Sequence, residues 1–284
     1  MSAKYSASEH RDFTLASADF SYIFDFVKRQ TGIFLTEEKQ DMVHSRLSKR
    51  LRTLGITDFA DYRSLLSQEG GGEVEHFTNA ITTNLTSFFR EKHHFEELRE
   101  KIVPELLERY RKTQRIRIWS AGCSTGEEAY SIAMVLREEI PDIDAMDIRI
   151  LATDIDSEVL AKARSGVYGD NRIESLDEAT KRRWFTYESE GKRQNVLVAP
   201  ELQRLIRFNR LNLMAQWPMK GTFDVIFCRN VVIYFDKPTQ RTLFSRFTQA
   251  LHPEGRLVIG HSETLHGVSD SLELIGKTIY RRIG

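Results

Sequence analysis

Two kinds of hydrophobic spacing divide this chain. From Phe20 to about Lys101 apolar residues recur at helical intervals with little β-branched clustering, and turn signals fall at Thr31-Gly32, Gly55 and Gly70-Gly71-Gly72. This spacing predicts a small all-helical domain over 20–88 after a tail over 1–19, with a linker helix over 89–101. Its clearest helix starts after Thr36, a candidate N-cap with Glu37 and Glu38 in the first turn, and stops at Gly55, a fitting C-terminal residue. Val43, Leu47, Leu51 and Leu54 share one face of that helix. Arg46, Lys49, Arg50 and Arg52 crowd the rest, a positive stripe on a short rigid element.

After residue 115 short apolar runs alternate with helical stretches: "IRIWSA", a helix from about Glu127, "DIRILATDID", a helix from about Ser157. Such alternation predicts crossover units and a parallel sheet, an α/β domain over 102–284. Further strands are expected at "IRFNRLNL", "FDVIFCRN", "GRLVIGHSE" and "KTIYRRI". The last two have no strongly amphipathic helix between them, so they are expected as an antiparallel pair at one sheet edge. An insertion over 166–205 breaks the alternation. In it Ser175 and Glu178 are read as a capping box for a short helix, followed by a hairpin of "FTYES" and "NVLVA". An isolated hairpin is marginal in water, so it must lean on the main domain or hold a partner.

Composition narrows the partners. Of 284 residues, 41 are Lys or Arg and 41 Asp or Glu, so no overall field favours nucleic acid or a membrane surface. The two cysteines, Cys123 and Cys228, match no metal spacing and favour a reducing compartment. "MSAKYSASEHRDF" has no apolar core for a secretory signal, and no run approaches the ~20 apolar residues of a membrane helix. A soluble cytoplasmic protein without metal or membrane insertion is the expectation, as a monomer.

In an open α/β sheet, ligands sit beyond the carboxyl ends of the strands. That rule gathers the turn after Trp119, Asp154, Asn212, the stretch Cys228–Tyr234 and the stretch His261–Glu263. "IWSAGCSTGEEAYSIA" places only Gly122 and Gly126 in the first turn, with Glu127 and Glu128 behind them. A dinucleotide fingerprint would carry three glycines, and a diphosphate would be repelled by the acidic pair. Glu128 instead favours a cationic or amine-bearing ligand, by about 4 kcal/mol at ~4 Å and an effective dielectric of 20. Asp154 is placed to accept both hydroxyls of a ribose. S-adenosylmethionine combines sulfonium, amine and ribose without phosphate.

At this point "NAITTNLTSFFRE", "STGEEAYSIA", "ATDID", "RLNL", "FDVIFCRNVVIYFD" and "GHSE", in that order, resemble the CheR family, S-adenosylmethionine-dependent methyltransferases of bacterial chemotaxis receptors. The match runs from about Phe20 to the end and includes the insertion. One departure is Ala129, where the family often has proline. The resemblance implies a Rossmann-like class I methyltransferase domain with a small antiparallel β insertion, preceded by the helical domain. It implies cofactor contacts at Asn84, Thr86, Arg90, Glu128, Asp154, Asn212, Leu213, Arg229 and Asn230, with S-adenosylhomocysteine as product. It implies methyl esterification of glutamates on receptor cytoplasmic domains, with Arg90 and Tyr234 as the candidate catalytic pair. Arg46, Lys49, Arg50 and Arg52 become a candidate docking surface, and "VLVA" in the insertion a candidate edge for a C-terminal receptor peptide. Two other readings are a non-catalytic cofactor- or receptor-binding module on this fold, and an NAD-dependent oxidoreductase, which the missing glycines and Glu128 disfavour.

Overall fold

A computed structural model describes residues 13, 15–68, 72–190 and 193–283. The chain forms two compact units, Met1–Gln30 with Phe34–Ile81 and Thr31–Ile33 with Thr82–Gly284.

The first unit is built of α1 (Ser17–Thr31), α2 (Gln40–Leu54), α3 (Phe59–Leu66) and α4 (Glu73–Ile81). Val43, Leu47 and Leu51 of α2 are buried with Ile23, Phe59, Tyr62 and Phe77, as the helical spacing requires. Leu54 departs from that expectation, remaining 37% exposed in the last turn. The start of α2 is corrected too. Thr36 is extended, makes no side-chain cap, and is followed by a tight turn over Glu37–Lys39, so the helix proper begins at Gln40. Gly55 ends it at φ 70°, its N–H reaching the carbonyls of Leu51 and Arg52. Gly70 and Gly71 lie outside the described residues, while Gly72 immediately precedes α4.

The second unit opens with α5 (His93–Glu97), a wider turn over Leu98–Ile102 and α6 (Val103–Thr113). Its strands are β1 (Ile116–Ala121), β2 (Ile148–Asp154), β3 (Val167–Gly169), β4 (Phe185–Glu190), β5 (Arg193–Val198), β6 (Ile206–Arg210), β7 (Phe223–Cys228), β8 (Leu251–Ile259), β9 (Leu272–Gly276) and β10 (Ile279–Arg282). The connecting helices are α7 (Glu127–Glu139), α8 (Ser157–Ser165), α9 (Glu178–Trp184), α10 (Pro200–Leu205) and α11 (Lys237–Ala250). The main sheet runs β6-β2-β1-β7-β8-β10-β9. Its first five strands are parallel, and β10 returns antiparallel to β8 as the short connection demands. β9 was not anticipated: "LELIG" pairs with β10 and takes the edge. Strand order reverses at β1, so the crevice beyond β1 and β7 is where a ligand belongs.

The insertion forms a second sheet, β3-β5-β4, antiparallel throughout. Two expectations change here. The cap of α9 is Asp177, which accepts from the Thr180 N–H at 2.9 Å, rather than Ser175. And the "VLV" of β5 lies in the central strand, both edges paired, with Val196 and Val198 buried. It offers no edge to a peptide; the outer strands are β3 and β4. The insertion does lean on the main core. Phe88 packs edge-on against Tyr168 and Phe185 at 5.2 and 5.3 Å, and the Trp184 indole N–H donates to Glu138 at 3.0 Å.

Candidate functional site

The turn joining β1 to α7 is held in shape before any ligand arrives. The N–H groups of Gly122 and Cys123 both donate to the Thr153 carbonyl, at 2.8 and 2.9 Å, tying the end of β1 to the end of β2. Gly122 and Gly126 have φ of 93° and 98°. A side chain at 122 would overlap Val231, and one at 126 would stand 2.9 Å from the Ala163 methyl. Both glycines are thus demanded by backbone angle and by close packing.

The two glutamates behind the turn have separate partners. Glu127 is fully buried, pairs with Arg172 and accepts from the Thr125 hydroxyl at 2.6 Å. Glu128 accepts from the Ser120 hydroxyl at 2.6 Å through Oε1 and from Arg229 at 3.0 Å through Oε2. Its charge is therefore already balanced by a guanidinium, and each oxygen keeps acceptor capacity for one more donor. Asp154, at the end of β2, accepts from the Ser124 N–H at 2.8 Å through Oδ2 and from the Asp156 N–H at 3.1 Å through Oδ1. Burial pushes its carboxyl up to about 6 against those bonds. The acceptor capacity its carboxylate keeps suits the hydroxyls of a ribose.

A second cluster lies under the loop after β7. Arg229 has a 2% exposed side chain and reaches Glu91 at 3.2 Å, Glu128 at 3.0 Å and the Arg90 carbonyl. Its Nε finds no partner among the described residues, and its guanidinium stands 5.5 Å from the Phe95 ring centre. Glu91 also accepts from Asn230 Nδ2 at 3.2 Å and from the backbone N–H of His261 at 3.0 Å, and lies 2.8 Å from His261 Nδ1. Burial would raise the Glu91 carboxyl, but His261, Arg229 and Asn230 outweigh it and hold it down at about 2. His94, fully buried beneath, is pulled down to about 3 by burial and by Arg229, so it is neutral. Glu91, His93 and His94 bring candidate metal-ligand atoms within 4.8 Å of one another. The Arg229 charge on the same carboxylate opposes a cation there.

The other candidates divide by what they touch. Asn84 donates to Asp156 at 2.7 Å, and its carbonyl accepts from the Ser124 hydroxyl at 2.9 Å. The Thr86 carbonyl accepts from Arg172 at 2.8 Å. Arg90 donates to the Leu85 carbonyl at 2.7 Å and stays half-buried. Asn212 accepts from the Met214 N–H at 2.8 Å, and the Leu213 carbonyl accepts from Trp217 at 3.1 Å and Arg246 at 2.6 Å. Tyr234 is half-buried on a one-turn helix over Val232–Tyr234. Strain gathers here: Phe89, Glu91, Ser124 and Asn230 all take positive φ between 49° and 57°.

On the helical unit, the positive stripe splits. Arg50 forks onto Glu73 at 2.9 and 2.6 Å, and Arg46 donates to the Ile81 carbonyl at 2.9 Å. Lys49 and Arg52 are exposed. Cys123 and Cys228 are buried, and burial pushes both thiols well up, which makes them unreactive. Sequence reasoning left out Ser120, Glu91 and Asp156, and placed Glu263 at the strand ends without giving it a role. All four stand inside quoted motifs, Ser120 in "IWSAGCSTGEEAYSIA", Glu91 closing "SFFRE", Asp156 closing "ATDID" and Glu263 closing "GHSE", so a signal was present.

Comparison with known proteins follows the same two units. A family model described as CheR methyltransferase, SAM binding domain, matches residues 84–281, and one described as CheR methyltransferase, all-alpha domain, matches residues 18–82. A probable chemotaxis protein methyltransferase of Rhizobium etli is 48% identical, covering 88% of this chain and 94% of that one. Chemotaxis protein methyltransferase 2 of Pseudomonas aeruginosa is 43% identical over 95% of each chain. The chemotaxis protein methyltransferase of Escherichia coli is 42% identical over 94% of this chain and 91% of its own.

Proposed function

Because this chain belongs to the CheR methyltransferase family, we propose that it esterifies glutamate side chains on the cytoplasmic domains of chemoreceptors, working in the cytoplasm. S-adenosylmethionine is the cofactor, and when bound it supplies a methyl group on a cationic sulfur. The observation that supports the reading most directly is the pair of half-engaged carboxylates, Glu128 and Asp154, at the strand ends. Asp154 takes the ribose hydroxyls and Glu128 the amine. Asn212 and Leu213 line the base end, and Asn84, Thr86 and Asn230 complete the contacts. Arg229 serves through Glu128, whose carboxylate it holds.

The chemistry asks little of the protein beyond placement. A glutamate with a reference pKa of ~4.3 is an anion at neutral pH, so no proton has to be removed before its oxygen attacks. Arg90 grips the substrate carboxylate as a fork, and Tyr234 walls the reacting carbon from water or donates to the carboxylate. Lys49 and Arg52, with Arg46 and Arg50 behind them, meet the acidic face of the receptor helix. A C-terminal receptor peptide joins the insertion as an added strand on the outer edge of β4, not on β5.

Labelled S-adenosylmethionine incubated with receptor cytoplasmic domains tests the reaction. The label is expected in a form released by mild alkali, as a methyl ester. Alkali-stable label indicates methylation at nitrogen and overturns the assignment.

A further inference from the structure

Glu263 closes the "GHSE" motif after β8, and nothing assigned so far uses it. Its side chain is 5% exposed and it makes an unusual set of bonds. Oε2 accepts from the N–H of Gly260 at 2.6 Å and of Asn230 at 3.0 Å. Oε1 accepts from the N–H of Val232 at 2.9 Å and of Ile233 at 3.3 Å. One buried carboxylate thus gathers the backbone of the loop after β7 onto the loop after β8, and three of its four donors belong to the stretch between Arg229 and Tyr234.

Other features show that this junction is built closely. Asn230 is held at φ 57°, a conformation that a non-glycine residue keeps only when its surroundings enforce it. Gly260 admits the approach: a methyl there would stand 2.6 Å from Asn230 Nδ2, 2.9 Å from Asn230 N and 2.9 Å from Glu263 Oε2. From the far side Gln240 Nε2 donates to the carbonyls of Val232 and Phe235, both at 2.9 Å, so the turn bearing Tyr234 is gripped at its N–H and its C=O groups. Burial raises the Glu263 carboxyl, and the four N–H groups oppose that rise.

We propose that Glu263 is a positioning residue for methyl transfer: its buried carboxylate fixes the backbone of Asn230, Val232 and Ile233, and so sets where Asn230 and Tyr234 stand at the strand ends. This rests on the methyltransferase reading above. A carboxylate is needed because four N–H donors require two acceptor oxygens. A carboxamide has one oxygen, and its NH2 turns a donor toward two of the four N–H groups.

The test is Glu263→Gln, nearly isosteric, with Glu263→Asp as a second variant that keeps the charge but falls one methylene short. Amide hydrogen exchange, S-adenosylhomocysteine affinity and kcat are measured on each full-length protein. In Glu263→Gln the segment 229–235 is expected to exchange at least about 10-fold faster while β1 and β2 keep the wild-type rate. kcat falls at least about 10-fold, and product affinity falls by a smaller factor, because Asn230 is one cofactor contact among several and Glu128 and Asp154 are untouched. Glu263→Asp shows the same split, less severely. An unchanged loop, a loosened loop with kcat intact, an equal rise in exchange everywhere, or failure of both variants to fold would each overturn the proposal. A wild-type protein that transfers no methyl refutes the functional reading instead, and the loop-exchange comparison is read without it.

Discussion

Asp154 gives the site a pH dependence whose size can be worked out. Its carboxyl is pushed up to about 6 by burial, against backbone N–H bonds that include those of Ser124 and Asp156. A ribose diol donates to the carboxylate and not to the acid, so binding requires the ionised form. The apparent Kd for S-adenosylhomocysteine is then multiplied by one plus the ratio of protonated to ionised Asp154. That factor is about 1 at pH 8, about 2 at pH 6 and about 10 at pH 5. Binding at pH 6 should also release about half a proton. Near it, the Cys123 thiol is driven far up by burial, so it does not titrate in this window to mimic the effect. Isothermal calorimetry in two buffers of different ionisation heat measures both quantities. Asp154→Asn removes the titrating group, and its remaining pH dependence is subtracted as that of the ligand and the rest of the protein. An affinity that is flat from pH 8 to 5, or as pH-dependent in Asp154→Asn as in the wild type, would refute the assignment of Asp154 to the ribose.

The same carboxyl bears on stability with a definite sign. A folded pKa raised from 3.8 to about 6 gives stability that is present at low pH and lost as pH rises through about 6. Asp154→Asn should therefore stabilise the free protein at pH 7.5, by roughly 2–3 kcal/mol at most and seen as a higher thermal midpoint, while weakening product binding; a lower midpoint counts against the burial argument. Tyr234→Phe should lower kcat by about 10-fold with product affinity unchanged, and equal loss of both would make Tyr234 a cofactor contact instead. Charge reversal at Lys49 and Arg52 should raise the KM for receptor several-fold without moving product affinity or the melting temperature, measured by steady-state kinetics and calorimetry. Arg50→Glu behaves differently: it leaves the buried Glu73 carboxylate, which also accepts from the Tyr62 hydroxyl at 2.7 Å, facing a like charge, and should cost about 3 kcal/mol in a denaturant melt.

How far the chain could be read depended on the range of the interaction. Strand and helix positions of the second unit followed from local hydrophobic runs, because "IRIWSA" and "FDVIFC" are buried along nearly their whole length. β9 escaped since "LELIG" buries only its first residue and shows no period. The centrality of β5 escaped for another reason: β3, its second neighbour, is only three residues long, too short to announce itself. The cap of α9 was misplaced by two residues because Ser175 and Asp177 are both competent caps, and only the geometry chooses between them.

The site residues were legible as types at strand ends but not as partners. Glu128 read as a bare anion awaiting a cation, whereas Arg229, 101 residues further on, already neutralises it. The inference of a cationic ligand from that charge alone is thereby weakened, and the weight shifts to Asp154, which among the described residues accepts from backbone N–H groups such as those of Ser124 and Asp156. Arg229 changes meaning in the same way. It read as a cofactor contact, yet with Glu91 on one side and Glu128 on the other it works as the joint between the segment carrying Arg90 and the floor of the crevice. The same guanidinium that bonds Glu128 also bonds the carbonyl of Arg90, the residue proposed to hold the substrate. On the proposed reading, the carboxylate that meets the donor amine and the backbone of the residue that meets the acceptor carboxylate are held by one shared guanidinium.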